Sequence, residues 1–180
     1  MWKNSTNRYG LVARWLHWAM VPLLLGLLAM GLWLTRMDYN DPWYQTASRW
    51  HEGVGVLAFV LFVLRLLWRL WDPPPPDPFP RPLWQTRLAR GVHRLLYLLM
   101  ALVPLSGYLF VTAKGGPVTL FGGLTIPALF GKLPAMEKMI GQLHLLLALA
   151  LLGLVALHLL ATLKHQLLDK EDILSRIFAR

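Results

Sequence analysis

Cysteine is absent from this sequence, which excludes disulfides, thiolate-bound metal, iron–sulfur clusters and thioether-attached haem. Any cofactor must be held by other atoms. Acidic residues are few, nine against 18 lysines and arginines, and they are too thinly spread for a zinc site of four protein ligands. Charge of either sign is missing from several long stretches. A chain that is 56% hydrophobic is too apolar for an ordinary soluble domain.

Four apolar runs take the place of charge: LLLGLLAMGLWL from Leu23, VGVLAFVLFVL from Val54, LLYLLMALVPLSGYLFV from Leu95 and HLLLALALLGLVALH from His144. Each extends to the roughly 20 residues that a bilayer-spanning helix needs. The expected transmembrane helices are 14–34, 50–71, 92–112 and 141–165, within a single membrane domain covering 1–180. The first run is longer than the apolar core of a secretory signal, and no small-residue cleavage site follows it.

The formal charge of +9 would point to nucleic acid in a soluble protein, but its distribution accounts for it otherwise. With both termini on one side, that side collects Lys3, Arg8, Arg14, Arg65, Arg69, Arg81, Arg87, Arg90, Arg94, Lys164, Lys170, Arg176 and Arg180 against five acids, a net +8. The other side holds Arg36, Arg49, Lys114, Lys132 and Lys138 against Asp38, Asp41, Glu52 and Glu137, a net +1. The positive-inside rule then makes both termini and the 72–91 loop cytoplasmic. Membrane lipid is the expected partner, and no nucleic acid is.

Proline is concentrated in one place. DPPPPDPFPRP, Asp72 to Pro82, carries seven of the 13 prolines and reads as an extended strut between two helical hairpins. The outer segment KGGPVTLFGGLTIP, Lys114 to Pro127, reads as a loop lying back on the membrane surface. Pro22 and Pro104 are expected to bend the first and third helices. The fold class is an all-α integral membrane protein, an up-down-up-down four-helix bundle whose core suits a cofactor.

Six histidines, at 17, 51, 93, 144, 158 and 165, all fall within or at the ends of these helices. Ionisable groups inside a membrane are costly and normally face the bundle interior with a partner. His144 and His158 are 14 residues apart, hence about 40° apart in rotation and roughly 21 Å along a helix. His51 begins the second helix at the level of His144, and His17 begins the first at the level of His158. The pairs His51 with His144 and His17 with His158 would each offer two neutral nitrogens across a gap, which suits the axial positions of haem iron. Gly53, Gly55 and Gly141 would either give a flat macrocycle room or merely promote helix packing. Arg65, 14 residues after His51, falls at the inner depth, where it would meet a haem propionate; the plainer reading is a side chain snorkelling to the headgroups. His93 and His165 lie at the cytoplasmic boundary, either as wet headgroup histidines or as proton carriers beside a quinone.

Together these segments resemble the bacterial dihaem cytochrome b561 family, related to the cytochrome b subunits of nickel–iron hydrogenases and formate dehydrogenases. The likeness rests on RWLHW opening the first helix, HEGVGVLAFVLFVLRLLWR over the second, GVHRLLYLLMALVPLSGYL over the third, KGGPVTLFGGLTIP outside, and the ladder His144, His158, His165. The resemblance implies two haem b groups ligated by His17 with His158 and by His51 with His144. It also implies ubiquinone near His93 and His165, and location in the bacterial inner membrane. Members of superoxide oxidase type pass an electron from periplasmic superoxide through both haems to ubiquinone, so that reaction is the expected enzymatic activity. The near-cancelled outer charge argues against a general funnel for such an anion, although a local basic patch could still serve. Two other readings stay open: a haem-containing membrane anchor that conducts electrons for a partner redox subunit, and a haem-free transporter or scaffold.

Overall fold

The computed structural model describes residues 1–178, so Arg180, counted above among the inner basic residues, lies outside them. Four long helices carry the fold: α1 (Leu11–Leu34), α2 (Tyr44–Trp71), α3 (Leu83–Ala113) and α4 (Pro134–Leu167). A short hairpin, β1 (Val118–Thr119) with β2 (Thr125–Ile126), lies between α3 and α4, and a single turn, α5 (Leu174–Ile177), follows α4. The long helices have 24, 28, 31 and 34 residues, or about 36–51 Å at 1.5 Å per residue, against an apolar bilayer core of about 30 Å.

Each helix is long and apolar enough to cross a membrane, and most of each apolar segment faces outward. Exposed leucines such as Leu25, Leu57, Leu98 and Leu146 cover the flanks. Exposed tryptophans gather at the two ends, Trp15, Trp71 and Trp84 at one and Trp33, Trp43 and Trp50 at the other. That is the interfacial belt expected of rings with one apolar and one polar edge. The protein is a multi-pass membrane bundle.

Helix ends are closed by local chemistry. The first N–H groups of α1 lack a side-chain cap; instead Leu11 N donates to the Met1 carbonyl at 3.1 Å and Val12 N to that of Trp2 at 3.5 Å. This fold-back requires Gly10, because a Cβ there would sit 2.4 Å from the Trp2 carbonyl oxygen. α3 ends where Gly115 takes a φ of +89° and its N–H returns to the Thr112 carbonyl at 2.9 Å. α4 begins with Pro134 in its first turn together with Glu137 and ends with Lys164 and His165, complementing the helix dipole at both ends.

The helices pack as two hairpins, α1 on α2 and α3 on α4, joined through α2 and α3. The densest apolar cluster lies between α3 and α4, where Leu96, Leu99 and Leu151 are buried against Val103, Leu147 and Leu154. Both α1 and α3 run through their prolines, Pro22 and Pro104, without interruption.

Two features differ from the sequence expectations. α3 starts at Leu83, so only residues 72–82 remain extended; RLARGVHR continues the helix as a cationic turn beyond the apolar run. The segment after α3, expected as a loop, contains a short β-hairpin. Val118 pairs with Ile126 and Thr119 with Thr125, and Phe121 at its tip packs tilted on Trp50 with centroids 4.7 Å apart. Val118 is buried, whereas Phe121 and Leu124 remain largely exposed.

Residues at the terminal end are tied together. Asn4 N donates to Asp72 at 2.9 Å, Arg176 Nε to the Asn7 carbonyl at 2.9 Å, and Arg81 bridges Asp77 and Glu171. The extended loop, the N-terminal segment and the C-terminal segment thus form one cover.

A Cβ on Gly141 would lie 2.8 Å from Phe110 Cε2, whereas one on Gly153 meets nothing. Gly141→Val is therefore expected to lower stability by about 1–3 kcal/mol through overpacking. Gly153→Ala should raise it by about 0.5–1 kcal/mol. Thermal unfolding in detergent, followed by far-ultraviolet circular dichroism, checks both.

Candidate functional site

One spacing recurs on every long helix. His17 and Gly31 on α1, His51 and Arg65 on α2, His93 and Gly107 on α3, and His144 and His158 on α4 are each 14 residues apart. Such pairs share a helix face at two depths about 21 Å apart. Because the helices alternate in direction, the eight positions sort into two layers with one residue from each helix. The layer far from the termini contains Gly31, His51, Gly107 and His144. The layer nearer them contains His17, Arg65, His93 and His158.

In the far layer the rings of His51 and His144 lie edge to face across the bundle, with centroids 6.2 Å apart and planes at 88°. His144 Nδ1 is 3.0 Å from the Val103 carbonyl and 3.0 Å from Ser106 Oγ, which itself donates to Val103 O at 2.8 Å. Both acceptors take the Nδ1 proton, so Nε2 keeps its lone pair for a ligand. Each ring is backed by a glycine of the neighbouring helix in its hairpin: a Cβ on Gly31 would be 3.1 Å from His51 Cε1, and one on Gly107 3.0 Å from His144 Cε1. Any side chain at either glycine would push the imidazole out of place.

In the near layer, His17, Arg65, His93 and His158 lie close enough for their charges to interact. The closest ring pair is His93 with His158, at 5.3 Å and 76°. His93 Nδ1 donates to the Ala89 carbonyl one turn back at 2.7 Å. Arg65 Nε donates to Tyr97 Oη at 3.2 Å, while its NH1 is buried without a partner among the described residues. Trp68 Nε1, one turn further along α2, is buried and unpartnered in the same way. Arg69 and Arg65 both lie over the Tyr97 ring, at 5.2 Å and 6.0 Å.

These features fit haem. A metal–imidazole bond of about 2.0 Å on either side, plus roughly 1.1 Å from nitrogen to ring centre, puts two opposed rings roughly 6.2 Å apart. The His51–His144 pair has that separation. Buried guanidinium and indole donors with nothing to donate to suit the carboxylates of a porphyrin.

Some sequence expectations take a different form. Gly53 and Gly141 admit the rings of Phe121 and Phe110, with a Cβ at either coming within 2.8 Å of them, and Gly55 faces open space. The glycines that back histidines are Gly31 and Gly107, which the 14-residue spacing would have revealed had it been followed on all four helices. His165 lies seven residues beyond His158, about 10 Å further along α4. Its Nδ1 is held by Asp169 at 2.7 Å and Glu171 at 3.3 Å. Of the outer basic residues, Arg49 and Lys114 gather around Glu52, which accepts a hydrogen bond from Ser48 at 3.2 Å beside His51.

Residues 8–180 match the family described as prokaryotic cytochrome b561. "Cytochrome b561 homolog 2" of Escherichia coli (strain K12) is 38% identical over 178 residues, covering 98% of this chain and 94% of that protein. "Cytochrome b561 homolog 1" of the same strain is 26% identical over 97% of this chain and 98% of that protein. "Probable superoxide oxidase CybB" of Yersinia pestis is 29% identical, over 97% of each. With a bundle of membrane-spanning helices and two layers of inward imidazoles, this chain belongs to the prokaryotic cytochrome b561 family of haem-b electron-transfer membrane proteins.

Proposed function

We propose that the protein holds two haem b groups, one per layer, and carries single electrons from superoxide at the periplasmic end to ubiquinone at the cytoplasmic end of the bacterial inner membrane. The observation that carries this reading is the stacking of two imidazole layers, each drawing one residue from every helix. His51 with His144 and His17 with His158 are the pairs that would hold the haems. Each pair takes one ring from the α1–α2 hairpin and one from the α3–α4 hairpin. His17 interacts electrostatically with His158 from the other hairpin, which supports it as the partner, with His93 beside them at 5.3 Å from His158. Strong positive bias at the end holding the termini supports a cytoplasmic location for it.

Haem supplies a centre that gains and loses one electron without moving. The chain supplies everything else. His144 is held in the ligating tautomer by Val103 and Ser106. Gly31 and Gly107 let both far-layer rings stand against neighbouring helices. Arg49 and Lys114 concentrate positive charge near His51, where an anionic donor would approach, although Glu52 among them limits the attraction. Arg65 and Trp68 offer donors to propionates at the near layer. His93 and His165 flank the quinone and serve its protons. Two superoxide anions give two dioxygen molecules; the two electrons and two protons convert one quinone to one quinol.

Two outcomes are expected. Wild-type protein should show two b-type haems per chain in a reduced-minus-oxidised spectrum with a haem count. His144→Ala should lose only the periplasmic-end signal, and His17→Ala only the cytoplasmic-end one. If His17→Ala spared the cytoplasmic-end haem and removed the other, the pairing would be wrong. The purified protein alone should also oxidise superoxide while reducing a ubiquinone analogue; a requirement for an added subunit would favour the membrane-anchor reading.

Arg65→Leu removes a cation beside the near layer. A nearby positive charge favours the reduced, less positive iron, so this variant should lower that haem's midpoint potential by tens of millivolts, on the order expected of one partly screened charge. An unchanged redox titration would separate Arg65 from the haem.

A further inference from the structure

The chain turns sharply as α4 ends. Lys170 takes a left-handed φ of 56°, an uncommon conformation for a residue with a side chain, and Glu171 N donates back to the His165 carbonyl at 3.0 Å. The turn brings two carboxylates to one imidazole: Asp169 Oδ2 is 2.7 Å and Glu171 Oε2 3.3 Å from His165 Nδ1. Cations already hold both acids. Lys164 Nζ lies 2.6 Å from Asp169 Oδ2, and Arg81 binds Glu171 with one guanidinium nitrogen and Asp77, at 2.9 Å, with the other. The three potential ligands His165, Asp169 and Glu171 lie within 4.8 Å of one another, but with Lys164 and Arg81 satisfying the acids they are poorly placed to take a metal ion as well.

The same geometry is well suited to orienting a proton-transfer histidine. The Lys164 hydrogen bond first, and that of His165 after it, hold the Asp169 carboxyl below the ordinary carboxylate range, with partial desolvation opposing them. An ionised carboxylate can only accept, so Nδ1 carries the hydrogen in these contacts and Nε2 is the atom left to exchange a proton elsewhere. Asp169 is partly open to solvent at the terminal end, its side chain 31% exposed, while His165 and Glu171 are more covered.

We propose that Asp169 and Glu171 are positioning residues for proton entry: they hold His165 with Nδ1–H turned toward them and connect its ring to water, so that Nε2 faces proton exchange with the quinone. This rests on the reading that ubiquinone is reduced beside His93 and His165. Protonated on both nitrogens beside the two carboxylates, the ring gives its Nε2 proton to the quinone oxygen as the quinone takes an electron, is left in the Nδ1–H form, and regains a proton at Nε2 from water. Each quinone takes two electrons and two protons in this way. The charged and titratable groups facing His165 are Asp169 and Glu171 on the turn, Lys164 on α4, and Arg81 and Asp77 on the 72–82 segment through Glu171.

The test uses full-length, haem-loaded protein, pre-reduced and mixed rapidly with a soluble ubiquinone analogue while haem reoxidation and proton uptake are followed. Asp169→Asn combined with Glu171→Gln should slow reoxidation about 10- to 100-fold, the range found for carboxylates that orient metal-bound histidines. Haem content and both midpoint potentials should stay unchanged. Small weak acids such as azide or acetate, supplying protons in place of the carboxylates, should restore much of the rate, and Asp169→Glu should keep most of it. Wild-type speed in the double variant, or a slow rate that weak acids do not restore, would reduce the pair to a structural clasp and overturn the proposal. Should the double variant not fold, Asp169→Asn alone is read against the same criteria. A wild-type protein that no quinone reoxidises would instead refute the quinone reading and remove this inference with it. Slow His165→Ala beside a fast carboxylate variant would remove only the orienting role.

Discussion

An imidazole inside a membrane bundle must be satisfied by protein, because lipid offers it nothing. Much of this architecture follows from that constraint. His144 meets it through the Val103 carbonyl and Ser106, His93 through the Ala89 carbonyl, and His165 through two carboxylates. Among the described residues no ring hydrogen bond holds His17 or His158, and none holds His51. The Nδ1 of His51 is buried without a partner among the described residues, and the ring is wedged against Gly31 and opposite His144. A polar ring so placed carries a cost that ligation of a bound group would offset.

The two layers divide the work unequally. The far layer has two histidines and two glycines, which places a single opposed pair with small residues behind it. The near layer has three histidines and an arginine, with unpartnered donors from Arg65 and Trp68 one turn apart. One layer is thus suited to a centre and little else, and the other to a centre with neighbouring proton and anion chemistry. Membership of a family that transfers electrons through haem b fits this division better than a haem-free transporter does.

The cover at the terminal end joins three segments far apart in sequence. Its hydrogen bonds run from residues 1–10 to the proline-rich segment and from both to the C-terminal turn. Isolated surface ion pairs contribute little, but Arg81 and Glu171 are largely covered, though Asp77 is exposed, and a network shared by three segments restrains all of them. The electrostatic contacts of His165 are set by this cover rather than by α4 alone.

Several features of this protein were legible in the sequence itself. Four uncharged runs determine four long helices because no other structure satisfies a backbone in hydrocarbon except a closed barrel, and the length and apolarity of these runs favour helices. The absence of cysteine and the histidines of RWLHW, RWHEG and the His144–His158 segment pointed to nitrogen ligation. The family followed from the same residues. Helical phase alone also placed His144 and His158 on one face at two depths. What periodicity could not provide was the rotation of one helix against another. That rotation sets Gly31 behind His51 and Gly107 behind His144, draws His93 to His158, and gives the space beside Gly53 and Gly141 to Phe121 and Phe110. Nor does local sequence reveal that Lys170 turns left-handed and brings Asp169 and Glu171 to His165. Such contacts depend on packing between segments distant along the chain, and only the tertiary structure brings those segments together.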